Sequence, residues 1–123
     1  MKLGLISAIL GDLSFEEMID FLAECGLECV EVACWPKGKA ERRYAGISHI
    51  DVDTLDDEKC AHILDYCQKK GVEISSLAYY PNTMDPDVEK RTAYIEHLHK
   101  LIDASAKLGV NMITTFIGRD PKK

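Results

Sequence analysis

The sequence predicts an α/β fold built on a parallel sheet, because one local pattern occurs three times along the chain. Each copy is an amphipathic helix, then a glycine, then a run rich in β-forming residues. The copies read AECGLECVEVACW, QKKGVEISSLAYY and AKLGVNMITTFIG. Strands that alternate with helices, through connections long enough for crossovers, are typical of parallel sheets.

Glycines mark the ends of the three predicted helices. Gly26, Gly71 and Gly109 each fit the position just after a helix, where the backbone turns left-handed and a Cβ would clash. After each glycine the sequence passes directly into a predicted strand. The three glycines therefore predict the boundary between each helix and the strand that follows it.

Capping signals mark the starts of the same helices. Ser14 and Glu17 match a capping box, in which each side chain satisfies a backbone amide at the helix start. Either Thr54 or Asp56 is expected to cap the second helix. The Asp-Pro pair at 85–86 predicts the start of the third helix, since proline is tolerated at the first helical position.

Apolar residues at helical spacing predict the buried face of each helix. The predicted stripes are Phe15, Met18, Ile19, Leu22 and Cys25, then Cys60, Ile63, Leu64 and Cys67, then Val88, Ile95, Leu98, Ile102 and Leu108. His62, His97 and His99 are expected on the outer surface without a functional role. Asp87 and Arg91, four residues apart, predict a solvated ion pair.

The predicted strands cover residues 3–9, 29–35, 73–80 and 112–118. Four parallel strands leave two edges with unpaired backbone groups, and a closed barrel needs about twice as many strands. A complete (β/α)8 barrel has about 250 residues, whereas this chain has 123. We therefore expect a partial (β/α)8 TIM barrel with its first four parallel strands and three intervening helices. Residues 1–123 would be the N-terminal half of such a domain, either truncated after strand 4 or completed by oligomerisation.

Composition argues against several classes of protein. The formal net charge is −6 and the sequence pI is about 5.1, and an acidic surface repels the phosphate backbone of nucleic acids. Basic residues are scattered apart from a cluster at 37–43. No apolar run reaches the roughly 18 residues of a membrane-spanning helix. The opening MKLGLISAIL lacks a convincing cleavage site, so a first strand is the better interpretation than a signal peptide.

The cysteine pattern indicates a reducing compartment. Cys25, Cys29, Cys34, Cys60 and Cys67 form no CxxC pair, and their spacings match no usual zinc-ligand pattern. We expect reduced, mostly buried thiols in a cytoplasmic protein. The sequence also has no Walker loop, no GxSxG and no GxGxxG after a strand.

Ligands of parallel α/β folds bind at the carboxyl ends of the strands, and this rule selects candidate residues. Glu31 alternates with Val30 and Val32, which places its carboxylate toward the barrel interior or, in another register, at a solvated strand end. A buried carboxylate needs a partner and is often functional. Trp35 could stack against a sugar or could close the top of the barrel.

Further candidates follow the later strand ends. His49 and Asp51 could orient ligand hydroxyls and move protons, or could stabilise their loop. Tyr80 and Asn82 offer a phenol and an amide to sugar hydroxyls, although Asn82 could instead shape the next turn. Arg119 could bind a phosphate or carboxylate through its paired N–H groups, or could lie in a disordered chain end.

The sequence resembles the xylose isomerase-like TIM barrel family, in particular its sugar phosphate isomerases and epimerases. The resembling stretches are GLECVEVACWP, HIDVDTL, YYPNTMDPDVEKR and LGVNMITTFIGRD, in the order of the first half of the family fold. The resemblance implies proton or hydride movement between neighbouring carbons of a sugar or sugar phosphate. It also implies Mn²⁺, Mg²⁺ or Co²⁺ bound by two Glu, an Asp and a His at later strand ends, beyond Lys123, so we expect no metal ligands in this chain.

By position, the resemblance implies that Glu31, Trp35, His49, Tyr80 and Asn82 contact substrate. We expect the full-length protein to be an isomerase or epimerase of carbohydrate metabolism, whereas activity of the 123-residue chain alone is left open.

Two other functions are kept as alternatives. One is a non-catalytic half-barrel that binds a small polyol or self-assembles, and the other is an inositol-type dehydratase. Related apurinic endonucleases use early-strand histidines, which the second and third predicted strands lack, so nucleic acid is not an expected partner.

Overall fold

A computed structural model describes residues 1–38 and 44–123 and contains the predicted alternation of strands and helices. The predicted basic cluster at 37–43 therefore lies mostly outside the described residues. The elements are β1 (Gly4–Ile6), a 3-10 turn (Ser7–Leu10), α1 (Phe15–Glu24), β2 (Cys29–Ala33), α2 (Asp57–Lys70), β3 (Glu73–Ala78), α3 (Val88–Leu108) and β4 (Ile113–Thr114).

The four strands form one parallel sheet in the order β1-β2-β3-β4. Neighbours in the sheet are also neighbours in sequence, and each parallel pair is joined by a crossover that contains a helix. This is the arrangement of consecutive units in a (β/α) barrel. The predicted α/β fold, a partial TIM barrel, is therefore confirmed.

The three helices pack on one face of the sheet. Side chains alternate along a strand, and Val30, Val32 and Leu77 are fully buried against the helices. The helical residues of this core are Phe15, Met18, Ile19, Leu22, Cys60, Ile63, Cys67, Leu101, Ala104 and Leu108. The other sheet face carries Ile6, in register with Glu31, and Ala78, in register with Thr114.

The predicted helix boundaries are mostly confirmed. Ser14 and Glu17 form the capping box of α1, and Asp56 rather than Thr54 caps α2 through the amide of Lys59. The three predicted glycines follow their helices with φ of 72° at Gly26, 68° at Gly71 and 67° at Gly109, in the left-handed region that favours glycine.

Several element boundaries differ from the prediction, since β2, β3 and β4 end at residues 33, 78 and 114 rather than at 35, 80 and 118. β1 ends at Ile6 rather than near residue 9, because Ser7 begins a 3-10 turn and its buried hydroxyl accepts a hydrogen bond from the amide of Ala33 at 2.8 Å. α3 begins at Val88, and its N-cap is Asp87, whose carboxylate accepts hydrogen bonds from two amides of the first turn. An N-cap side chain that satisfies two amides defines a helix start better than the preceding proline does.

The buried face of α3 was predicted correctly at Leu108, and Leu98 is partly buried against the core, but the other three predicted positions are wrong. Its buried residues are His97, Leu101, Ala104 and Leu108, whereas Val88, Ile95 and Ile102 are exposed. His97 is not an outer-surface residue, since its Nε2 lies 2.8 Å from the carbonyl oxygen of Cys34. This hydrogen bond satisfies the buried imidazole, so the helix can turn a polar side chain toward the core.

Smaller corrections concern charged and apolar surface residues. The guanidinium of Arg91 donates to the backbone oxygen of Asp85 at 3.3 Å, while Asp87 is used as the helix cap. Leu64 and Cys25, predicted to be core residues, are exposed. Within the described residues, no helix combines the length and apolar character that crossing a membrane requires.

The cysteines are free thiols with mixed exposure. Cys34, Cys60 and Cys67 are buried, Cys29 is half-buried and Cys25 is exposed, so the predicted burial holds for three of the five. Burial raises the pKa of Cys34 to about 12 and that of Cys67 to about 11. These two thiols are therefore protonated and unreactive at neutral pH.

The sheet face opposite the helices exposes apolar side chains, and we expect it to drive self-association. Ile6 is 44% exposed and Met112 is 57% exposed, and such surfaces favour burial between molecules. The double variant Ile6→Gln/Met112→Gln should lower the weight-average mass of the chain in sedimentation at micromolar concentration. The control Ile102→Gln removes an exposed apolar residue of α3 and should leave that mass unchanged. A monomeric wild-type chain would contradict this expectation.

Candidate functional site

The carboxylate of Glu31 is the centre of a polar network at the carboxyl ends of three strands. The phenol of Tyr80, just after β3, donates a hydrogen bond to Glu31 Oε1. The hydroxyl of Thr114 on β4 donates to the same oxygen at 2.5 Å. Within the described part of the chain, Glu31 Oε2 accepts no hydrogen bond. This half-exposed carboxylate is thus held by one oxygen and can offer the other to a ligand.

A register shift brings Glu31 to this position. β2 and β3 pair Val30 with Ile74 but Glu31 with Ser76, so one extra residue of β3 is accommodated at this point. Bulges of this kind re-aim side chains and are frequent next to active sites. Glu31 points to the face opposite the helices because it alternates with the buried Val30 and Val32, and the shift sets which β3 residues lie beside it.

Tyr80 is held as a hydrogen-bond donor. Its ring packs against Phe116 with centroids 4.7 Å apart. Burial and the hydrogen bond to Glu31 raise the pKa of the phenol, so it stays protonated at neutral pH and donates to the carboxylate. The aromatic contact and the hydrogen bond together orient Glu31.

A cleft of about 1120 Å³ lies beside this network, between the loops that follow β2, β3 and β4. Of the predicted site residues, it brings together Trp35, Asn82 and Arg119. The rest of its lining includes Lys37, Gly38, Gly46, Tyr79, Asp85, Lys90, Tyr94, Phe116 and Gly118. Glu31, Tyr80, His49 and Asp51 are not among the lining residues.

Trp35 is supported by an aromatic stack that reaches into the core. The ring centroids of Trp35 and Tyr79 are 5.0 Å apart, with an angle of 86° between the ring planes. Tyr79 packs in the same way against His97, with centroids 4.7 Å apart and an interplanar angle of 70°. Burial raises the pKa of Tyr79 to about 12. Edge-to-face packing of this kind is favourable and fixes ring orientation, so Trp35 forms a supported wall of the cleft.

Asn82 connects two of the loops that line the cleft. Its Nδ2 donates to the backbone oxygen of Arg119 at 2.9 Å, and its Oδ1 accepts from the amides of Arg119 and Met84 at 2.8 and 3.2 Å. Its own carbonyl accepts from the amide of Asp85 at 3.1 Å. The side-chain amide is therefore used to hold the loops, in agreement with the turn-shaping alternative, and contact with a sugar remains a prediction.

His49 is hydrogen-bonded through both ring nitrogens. Nε2 lies 3.1 Å from the carbonyl oxygen of Leu10, and Nδ1 lies 2.9 Å from the hydroxyl of Ser7. A carbonyl only accepts, so Nε2 carries the proton and Nδ1 accepts from Ser7. Burial lowers the pKa of His49, although backbone hydrogen bonds with Leu10 and Leu13 oppose the shift. This geometry corresponds to the loop-stabilising alternative.

Asp51 forms an ion pair and a turn. Its carboxylate lies 3.2 Å from the ammonium of Lys37 and accepts from the amide of Asp53 at 3.0 Å. Burial acts to raise the pKa of Asp51, but hydrogen bonds from Lys37, the Asp53 amide and Thr54 together lower it. Asp51 is therefore a charged residue at the edge of the cleft, through its contact with Lys37.

Sequence reasoning missed three residues of this region. Thr114 is in the network with Glu31, and Lys90 and Tyr94 line the cleft. Alternation along β4 could have indicated Thr114. Lys90 and Tyr94 are four residues apart near the start of α3 and share a helix face, a signal that was hidden while the buried face of α3 was placed on the wrong residues.

The described residues do not form a metal site. No group of three or more His, Cys, Asp or Glu side chains within 1–38 and 44–123 is arranged to ligate an ion. The Glu31 network supplies one carboxylate and two hydroxyls that already donate to it, whereas the divalent metals implied by the resemblance prefer several carboxylate or imidazole ligands. Glu31 therefore does not fit a ligand role with these neighbours.

His49 should make the chain less stable as pH falls. A histidine with a depressed pKa in the folded state contributes stability above its unfolded value of about 6.5 and loses it below, because the unfolded chain binds the proton more readily. His49→Gln should show a smaller fall in urea midpoint than the wild type from about pH 7 to about pH 5. His99→Gln, which removes an exposed imidazole of α3, is the control. An equal fall in wild type and His49→Gln would contradict this assignment.

A glycine at position 118 should be required for stability, because it leaves space for the side chain of Asn82. Gly118 has φ of 93°, and a Cβ there would lie 2.3 Å from Asn82 Oδ1. Gly118→Ala should reduce the free energy of unfolding by more than about 1 kcal/mol, from strain and collision together. Gly26→Ala is a matched control, since Gly26 has φ of 72° and an added Cβ would meet nothing within 4 Å. Chemical unfolding measures both, and equal losses would show that the Asn82 contact is unimportant.

Solved structures with the same fold are much longer than this chain. The probable 3-DHS dehydratase AsbF, involved in petrobactin synthesis in Bacillus anthracis, is 20% identical with a TM-score of 0.68, and the match covers 98% of this chain and 39% of that one. D-psicose 3-epimerase from Clostridium cellulolyticum H10, solved with D-tagatose, is 18% identical with a TM-score of 0.67. That match covers 100% of this chain and 41% of the epimerase. The chain thus spans about two fifths of the length of these two proteins.

A third match is weaker, and the family assignment comes from the sequence. A xylose isomerase domain containing protein from Salmonella typhimurium LT2 is 14% identical with a TM-score of 0.56, covering 91% of this chain and 35% of that one. A search of curated protein sequences gave no match. The profile of the xylose isomerase-like TIM barrel family matches residues 19–123. The four-stranded parallel sheet, its one-sided helices and this match together show that the chain belongs to the xylose isomerase-like TIM barrel family.

Proposed function

We propose that this chain forms part of the substrate-binding wall of a divalent-metal-dependent sugar or sugar-phosphate isomerase or epimerase. The observation that carries the proposal is the Glu31 carboxylate, held through Oε1 by Tyr80 and Thr114 with Oε2 left for a ligand. It stands at the strand ends where ligands of this fold bind. Family membership supports a sugar as the ligand class.

Glu31 would bind and orient a sugar hydroxyl. A hydroxyl that donates to Oε2 would make a charge-assisted hydrogen bond, which is stronger than a neutral one. Tyr80 and Thr114 keep the carboxylate in one orientation, so little rotational freedom is lost when the sugar binds. A fixed hydroxyl in turn places the neighbouring carbons of the sugar in a defined position for proton transfer.

The proposed enzyme uses Mn²⁺, Mg²⁺ or Co²⁺, whose contribution would be to polarise the carbonyl and hydroxyl oxygens of the substrate. The family resemblance assigns its ligands to later strand ends rather than to the described residues. In this proposal the residues of this chain bind and orient substrate, and they carry no catalytic role.

The other residues predicted to contact substrate fall into two groups, those that line the cleft and those that do not. Trp35 and Arg119 line the cleft, and Asn82 lines it while holding the loops. We propose that His49 and Asp51 act indirectly, since His49 connects to Ser7 and Leu10, and Asp51 is paired with Lys37. They would set the loop after β2 in position, rather than contact the sugar.

The proposed setting is a cytoplasmic protein whose partners are small sugars and, through the apolar sheet face, further copies of itself. The net charge of −6 disfavours nucleic acid. A dehydratase is the second candidate, because the structures of similar fold include the probable 3-DHS dehydratase AsbF. A polyol-binding half-barrel without catalysis is the third. Glu31 would bind a hydroxyl in each of them.

Glu31→Gln should weaken sugar binding. The amide keeps the shape of the side chain but removes its charge, and loss of a charge-assisted hydrogen bond is expected to raise the Kd about tenfold. Saturation-transfer NMR with a panel of ketoses and aldoses measures the affinity of each variant. Because the panel covers several hydroxyl configurations, one ligand with measurable affinity is sufficient for the comparison.

Glu28→Gln is the matched control for this experiment. Glu28 is an exposed glutamate just before the amino end of β2, at the opposite edge of the sheet from the proposed site. The Glu28→Gln substitution changes the net charge by the same amount as Glu31→Gln but does not alter the carboxyl ends of the strands. This variant should therefore bind sugar as the wild type does. Equal binding by wild type and Glu31→Gln would overturn the proposal for Glu31.

A further inference from the structure

We propose that the cleft beside Glu31 recognises an anionic group on the substrate, a phosphate monoester or a carboxylate carried by a polyol, through Lys90 and Arg119. The inference rests on the proposed function and deepens it, since it assigns charge to the sugar. Neither Lys90 nor Tyr94, which lies next to it on the same helix face, was identified from the sequence.

The cleft has the opposite charge balance to the whole chain. Lys37, Lys90 and Arg119 line it, and among the lining residues that the structure describes Asp85 is the acidic one. The chain as a whole has a formal net charge of −6. A concave surface with a local excess of positive charge concentrates anions, and its low-dielectric walls strengthen the effect. An anionic ligand is therefore favoured here over a neutral one.

Two of the three cations have no side-chain partner among the described residues. Lys37 lies 3.2 Å from Asp51, so its charge is largely shared with that carboxylate. By contrast, the side chains of Lys90 and Arg119 make no hydrogen bond or ion pair with any residue in 1–38 or 44–123. Elsewhere in this acidic chain, Lys2, Lys69, Lys70 and Lys100 are each paired with a carboxylate. Within the described residues, two cations without a carboxylate partner therefore line the cleft.

The backbone positions of both cations are fixed. Both the amide and the carbonyl of Arg119 are hydrogen-bonded to the Asn82 side chain, at 2.8 and 2.9 Å. The amide of Lys90 donates to the cap carboxylate of Asp87 at 3.3 Å. Because Asp87 already accepts from the amides of the first turn, the helix start contributes little to anion binding, and the side chains supply the recognition.

The remaining lining suits a small carbon skeleton. Trp35, Tyr94 and Phe116 contribute aromatic surface to the cleft, and Trp35 is held by its edge contact with Tyr79. Aromatic faces pack against the C–H surface of a sugar ring, while hydroxyls and charges find polar partners. Aromatic surface beside two cations that have no partner among the described residues therefore indicates a polyol that bears a negative group.

The experiment compares anionic and neutral ligands on the whole chain. Trp35 is the single tryptophan of the sequence and lines the cleft, so its fluorescence reports binding there, and calorimetry detects any ligand that leaves the emission unchanged. The titrants are D-fructose and D-fructose 6-phosphate for the phosphate, and sorbitol and D-gluconate for the carboxylate. At low ionic strength, we expect at least one anion to bind about tenfold more tightly than its neutral counterpart.

Variants assign this advantage to the two cations. Lys90→Ala and Arg119→Ala should each remove most of the anion's advantage, because each should lower the affinity for the anion far more than the affinity for its neutral counterpart. Lys69→Ala removes a cation of α2 that is paired with Asp65, and should retain the full advantage. Raised salt should weaken anion binding to the wild type and have less effect on the alanine variants, since screening acts on the charge interaction.

The two proposals fail in different ways. If neither anion binds more tightly than its neutral counterpart, or if Lys69→Ala loses the advantage as Lys90→Ala does, the anion proposal is overturned whatever Glu31 does. If Glu31→Gln binds every titrant as the wild type does while Lys90→Ala loses the anion advantage, the Glu31 proposal is overturned and anion recognition stands. Circular dichroism of each variant checks that the helices are intact.

Discussion

Alternation of side chains along β2 is the constraint on which the candidate site depends. Val30 and Val32 are fully buried beneath the helices, and a strand places successive side chains on opposite faces. Glu31 must therefore face away from the helices. Reversing this arrangement would bury a carboxylate among apolar residues and expose two valines, at a cost of several kcal/mol. The core that stabilises the sheet thus also directs the carboxylate toward the ligand side.

The loops after the strands depend on a second set of contacts. Asn82 holds the backbone of Arg119, Gly118 leaves the space this needs, and His49 ties the loop after β2 to Ser7 and Leu10. These hydrogen bonds join segments far apart in sequence. They give the cleft a defined wall, so Lys90, Arg119 and the aromatic rings are held in supported positions rather than on separate loops.

The Glu31 network and the cleft are complementary parts of one binding surface in the proposed function. The network offers a fixed acceptor for a hydroxyl, while the cleft offers two cations and an aromatic wall. Opposite charges at the two places would orient a ligand that has a hydroxyl-bearing end and an anionic end. Family membership supplies the fold, and in the proposed function these residues would supply the choice of substrate.

The sequence by itself determined the order of elements, the capping box of α1, the glycine helix ends and the side on which Glu31 lies, because each depends on neighbours within a few residues. Tertiary structure decided the rest. The buried face of α3 was settled by the hydrogen bond between His97 and the Cys34 carbonyl, and the partners of Glu31 by a register shift between β2 and β3. The roles of Asn82 and His49 likewise depend on residues about 40 positions away. Local patterns carry no information about such distant pairings, which only packing selects.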